Sequence, residues 1–158
     1  DNTIERCFEV TEITLHTVFN ELIRQDVALE YTILKTNMVL AGKQCPVQAS
    51  VEAIADKTLL CLKRVVPAAV PGIVFLSGGQ GGTEATRHLN AMNKTGLNLP
   101  WPLSFSYGRA LQTDAINSWG GNPRNVEQAR DILLHRERCN GLAAMGQYSD
   151  TIEGEIAA

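Results

Sequence analysis

The sequence predicts an α/β fold of three parallel strands with flanking helices, and three observations carry that prediction. Short apolar runs alternate with segments of helical periodicity. The middle run, GIVFL at 72–76, is apolar without interruption, as a strand covered on both faces would be. No internal repeat, low-complexity tract or linker divides the 158 residues, a length sufficient for one domain with its own core.

In chain order, residues 4–25 read as a helix, with Cys7, Val10, Val18, Phe19 and Leu22 at mostly helical spacing. VALEYTILK, 27–35, is rich in apolar and β-branched residues and reads as the first strand. Within it Lys35 shares a face with Tyr31 and Ile33, while Glu30, five positions away, faces the other side. Ala41, Gly42 and Pro46 break that segment. A second helix over 47–65 places Val51, Ile54, Leu59, Leu62 and Val65 on one stripe, behind a proline near its start. Pro67 and Pro71 close it.

After GIVFL comes the loop SGGQGG, and Thr83 is expected to cap the next helix. Ala85, Leu89 and Met92 face inward there, and Gly96 stops the helix. LSFSYG, 103–108, is the third strand. A helix follows at once and ends at Gly120–Gly121. The last helix, 124–146, turns Val126, Ala129, Leu133 and Leu142 toward the core. Residues 1–148 thus form one unit. The acidic, small-residue stretch 149–158 is expected to be a flexible, frayed tail.

Composition narrows the function. With 44% hydrophobic and 20% charged residues the chain is a soluble globular protein rather than a disordered one. A net charge of -3 gives no global pull toward nucleic acid or membrane, so any bound anion must be held by local geometry. No apolar stretch is long enough to span a bilayer. Position 1 is Asp and no secretory signal is visible, so a processed chain or a fragment is expected. Cys7, Cys45, Cys61 and Cys139 are far apart and the three histidines are scattered, which is no zinc or redox motif. Reduced thiols in a cytoplasmic protein are expected.

Each strand ends in chemistry: the first at Lys35, the second at Ser77-Gly78-Gly79, the third at Ser106-Tyr107-Gly108-Arg109. Ligands gather at the carboxyl ends of parallel strands. SGGQGG offers unobstructed backbone N–H groups just before a helix, suited to an anion. Arg109 supplies a fork of donors for a phosphate. The loop has neither the Walker spacing nor GxGxxG, so a nucleotide site ranks low. A desolvated lysine loses its proton and can attack a ketone to form an iminium, which permits carbon–carbon cleavage. A lysine snorkelling from a strand end is the plainer reading of Lys35 taken alone.

Taken together these blocks resemble the class I fructose-bisphosphate aldolases. The family's LLKPNMV, which carries its Schiff-base lysine, is similar to Ile33–Val39, with Thr36 in place of the proline. VPAAVPGI-FLSGGQ corresponds to Val66–Gln80, and PW-LSFSYGRALQ to Pro100–Gln112; Trp119-Gly120-Gly121 also agrees. The resemblance runs from about Glu5 to Tyr148.

The resemblance implies the C-terminal portion of a (β/α)8 TIM barrel, its sixth to eighth strands, out of a fold of about 250 residues. It implies reversible cleavage of fructose 1,6-bisphosphate to dihydroxyacetone phosphate and glyceraldehyde 3-phosphate. Lys35 would form the iminium, and Ser77, Gly78, Gly79, Ser106, Gly108 and Arg109 would hold a substrate phosphate. No metal or cofactor is implied, because the iminium is the electron sink. A phosphorylated sugar is the implied partner, and a homo-tetramer the implied assembly. The family's acid/base glutamate, second lysine and aspartate lie on earlier strands, absent here. Such groups contribute about 10²–10⁴-fold. The alternative is therefore a catalytically silent module for sugar-phosphate binding or assembly. Tyr148 matches an internal tyrosine of the family and carries no catalytic role.

Overall fold

The computed structural model describes residues 2–154. Its elements are α1 (Ile4–Arg24), β1 (Leu34–Thr36), α2 (Val51–Val65), β2 (Ile73–Phe75), α3 (Gly82–Lys94), β3 (Leu103–Phe105), α4 (Arg109–Trp119), α5 (Val126–Ala144) and α6 (Asp150–Glu153). The strands lie in the order β1-β2-β3, and both pairings are parallel. Lys35 stands beside Val74, and Val74 beside Ser104. This α/β arrangement of three parallel strands and flanking helices is the expected one. No described helix is long and apolar enough to cross a membrane.

Alternation along each strand gives the sheet two unlike faces. One carries Thr36, Ile73, Phe75 and Leu103, all buried with Leu15 and Phe19 of α1, Leu59 and Leu62 of α2, Leu89 and Met92 of α3, and Cys139 and Ala143 of α5. The other carries Lys35, Val74 and Ser104; Lys35 is exposed and the other two half-buried. The helices therefore cover one face and leave the lysine's face open.

Several sequence expectations need correction. The first strand begins at Leu34, not at 27, because its pairing with β2 starts at Ile73, with Leu34 N–H donating to the Gly72 carbonyl at 3.2 Å. Residues Leu29–Tyr31 form a single 3-10 turn, and Tyr31 and Ile33 are exposed. Val10 and Val18 lie on the exposed side of α1; its buried stripe is Ile4, Thr11, Leu15 and Phe19. α2 starts behind Ser50, whose hydroxyl accepts from Ala53 N–H at 3.2 Å, rather than at the proline.

Gly81, not Thr83, precedes α3, and its N–H donates to Glu84 Oε2 at 3.3 Å, half of a capping box. On α5 the buried residues are His135, Arg136, Cys139, Asn140 and Ala143, while Val126 is exposed. A hydrophobic count misplaces that face because Arg136 and Asn140 bond to Thr83, Thr86 and Glu153 inside the fold, although Arg136 Nε and Asn140 Nδ2 have no partner there. The tail opens with the helical turn α6, and Glu153 is bound into the fold. Residues 155–158 of the expected tail lie outside the described residues.

Candidate active site

The carboxyl ends of the strands stand side by side. Leu76 N–H donates to the Thr36 carbonyl at 2.9 Å, and Ser106 N–H to the Phe75 carbonyl at 2.9 Å. Just beyond, Gly78 and Gly79 take φ of +57° and +88°, left-handed values that favour glycine over residues with a Cβ.

Gln80 holds this loop in place. Its backbone N–H and its side-chain Nε2 both donate to the Ser77 carbonyl, at 2.9 and 3.0 Å. Its Oε1 accepts from His88 Nδ1 at 2.6 Å, which puts the imidazole proton on Nδ1. Burial lowers the pKa of His88, which favours the neutral ring.

Gly82, at the start of α3, is wedged against α4. A Cβ there would lie 2.7 Å from the Ala110 carbonyl oxygen and 3.1 Å from Arg136 Nε. The two helix N-termini therefore meet, and between them opens a cavity of about 270 Å³. Lys43, Gly79, Arg109, Thr113 and Asp114 are among its walls.

The expected site residues divide as follows. Gly79 and Arg109 share that cavity. Gly78 lines the adjoining hollow with Asn37, Met38, Gln80 and Glu84. Ser77 is buried, and its carbonyl is occupied by Gln80. Ser106 is half-buried at the end of β3, and exposed Gly108 is the N-cap of α4. Lys35 lines a third hollow with Val10, Thr14, Leu76 and Asn37. Lys35 itself is exposed, on the sheet face opposite the helix-covered core.

Sequence reasoning missed the polar network beneath the loop. Arg136 pairs through its guanidinium with Glu153 and donates to Thr83 Oγ1 at 3.1 Å and Thr86 Oγ1 at 3.2 Å. Thr83 and Tyr148 donate to Glu153 at 2.7 Å each. Burial by itself would raise the Glu153 pKa, but these donors hold it down at about 2.

His135, Cys139 and Glu153 bring potential metal-ligand atoms within 4.8 Å of one another. Both Glu153 oxygens are already engaged by Arg136, however, and a dication would sit against that guanidinium. Burial pushes the Cys139 thiol up to about 11, away from thiolate chemistry. All four cysteines are free.

A glycine loop and an arginine standing together at the carboxyl ends of parallel strands define the class of an α/β protein with its candidate site on that edge. Comparison with known proteins specifies the family. The sequence model described as fructose-bisphosphate aldolase class-I matches residues 1–158. A probable fructose-bisphosphate aldolase class 1 from Xanthomonas campestris pv. campestris is 54% identical, over 94% of this chain and 44% of its own length. Fructose-bisphosphate aldolase C of Mus musculus is 48% identical over 100% of this chain and 44% of its own. Fructose-bisphosphate aldolase from Plasmodium falciparum, solved in complex with TRAP and a small molecule inhibitor, superposes with a TM-score of 0.90 at 45% identity. That match covers 94% of this chain and 42% of the other. The chain belongs to the class I fructose-bisphosphate aldolase family and spans under half the length of these relatives.

Proposed function

We propose that this chain supplies the nucleophile and a phosphate subsite of a Schiff-base fructose-bisphosphate aldolase. The observation that carries this reading is the cavity joining Gly79 and Arg109 at the strand ends, one strand over from the strand bearing Lys35. Ser77–Gly79 amides and the Ser106–Arg109 turn hold the phosphate of a ketose. The Lys35 amine attacks the ketone carbon, water leaves, and the resulting iminium becomes an enamine by accepting the electron pair of the breaking carbon–carbon bond, while the hydroxyl on the departing carbon loses its proton to water and becomes the aldehyde. The substrate is fructose 1,6-bisphosphate, cleaved reversibly in glycolysis. Four free thiols suit the reducing cytoplasm, and a tetramer follows by analogy with the family.

One observation favours a second reading, a sugar-phosphate-binding module without catalysis. Lys35 is exposed, and no carboxylate lines its hollow to move a proton. The two readings separate by borohydride reduction with dihydroxyacetone phosphate, followed by peptide mass mapping. The catalytic reading requires a reduced adduct on Lys35, lost in Lys35→Arg because a guanidinium forms no iminium. A folded protein that binds the ester and carries no adduct is the binding module.

A further inference from the structure

The geometry points to Lys43 as a second cation of the phosphate subsite, sharing a phosphate monoester dianion with Arg109. The inference rests on the sugar-phosphate reading and adds to it a specificity residue on a different loop, the one after β1.

The backbone around Lys43 is pinned. Gly42 N–H donates to the Asn2 carbonyl at 2.8 Å, and Cys45 N–H to the Gly42 carbonyl at 2.9 Å. Gln48 Nε2 donates to the carbonyls of Gly42 and Cys45, at 2.9 Å each. Ala41 and Cys45 are buried on either side, while Lys43 itself is exposed. A fixed turn therefore projects one free cation.

That cation lies over the phosphate loop. A Cβ built on Gly79 would be 3.4 Å from Lys43 Cε and 3.6 Å from Nζ. Those are van der Waals distances, so the lysine reaches the loop, while the turn's φ of +88° is what favours glycine there. Lys43 and Arg109 both line the 270 Å³ cavity, and neither forms an ion pair among the described residues.

Charge balance gives the lysine its role. Asp114 lines the same cavity, and alone it would offset Arg109. Lys43 leaves one positive charge in excess, to which the N-termini of α3 and α4 add partial positive charge. Glu84, the other nearby carboxylate, shares the adjoining hollow with Lys43, but it accepts from Gly81 N–H and forms no ion pair with the lysine among the described residues. A dianionic ester is the ligand such a cavity favours over a neutral sugar.

The test uses the intact protein, with dihydroxyacetone phosphate and unphosphorylated dihydroxyacetone as probes. Borohydride trapping on Lys35 is measured against the concentration of each. Lys43→Met is expected to raise the half-saturating concentration of the phosphate ester about five- to tenfold. Lys43→Arg is expected to restore it to within about twofold, with dihydroxyacetone trapping unchanged and a shallower dependence on salt in Lys43→Met. Lys43→Gln, with the same thermal unfolding midpoint as the parent, guards against a folding artefact. Equal half-saturation in Lys43→Met and the parent, while Arg109→Met is weakened, overturns the role of Lys43 and leaves the sugar-phosphate reading intact. Where the parent binds without an adduct, the rise in thermal midpoint with dihydroxyacetone phosphate is compared across the same variants, and a parent that shows neither adduct nor rise overturns both.

Discussion

At the residue scale, the candidate site is built from residues of very different sequence legibility. Lys35, Ser77, Gly79 and Arg109 stand out at strand ends, because polar residues following apolar runs are conspicuous. Gln80 and His88 do not, although their hydrogen bond fixes the loop; a buried glutamine needs a partner, and nothing local names it. Glu153 is the residue for which pH is informative. Its carboxyl has an ordinary value of 4.5 and is held at about 2 in the folded chain. Its contribution is therefore complete above about pH 4.5 and is lost as pH falls toward 2. Glu153→Gln is expected to lower unfolding stability by about 2 kcal/mol at neutral pH and to flatten that acid limb. Urea unfolding at stepped pH checks this. An unchanged acid limb would show that Arg136 and Glu153 do not couple in solution.

At the element scale, α3 joins the glycine loop to the rest of the fold. Its first turn is held from below by Arg136 through Thr83 and Thr86, and from the side by α4 at Gly82. The contact at Gly82 admits no methyl group without movement of the Ala110 carbonyl. Gly82→Ala is accordingly expected to cost about 1–3 kcal/mol of stability and to weaken binding of phosphate esters. Denaturant titration and ligand-induced shifts of the melting temperature measure the two effects. A protein as stable as its parent would mean that α3 and α4 separate easily. The α5 face was misread for a related reason. Arg136 and Asn140 look like solvent residues, yet Thr86 donates to Asn140 Oδ1 at 2.6 Å inside the fold.

At the scale of the whole molecule, one sheet face and both sheet edges lack partners among the described residues. The order β1-β2-β3 leaves the outer sides of β1 and β3 unpaired. Val10 and Val18 of α1 and Ile33 before β1 are exposed near the hollow that Lys35 lines. A polypeptide of residues 1–158 by itself is expected to self-associate, with a light-scattering mass above 17.2 kDa that rises with concentration. A stable monomer with a single cooperative unfolding transition would show that the open face needs no cover.

The amino-acid sequence by itself determined the strand–helix alternation, the three parallel strands, the glycine loop and the cation that follows β3. Those features are written in local periodicity and turn chemistry, which depend on neighbours a few residues apart. Only the tertiary structure decided where β1 begins, which side of α5 is buried, that Lys43 overhangs Gly79, and that Lys35 is exposed. Each of these depends on what packs across from a residue, and those partners come from distant parts of the chain: β2 for Leu34, α3 and α6 for Arg136, the loop after β1 for Gly79.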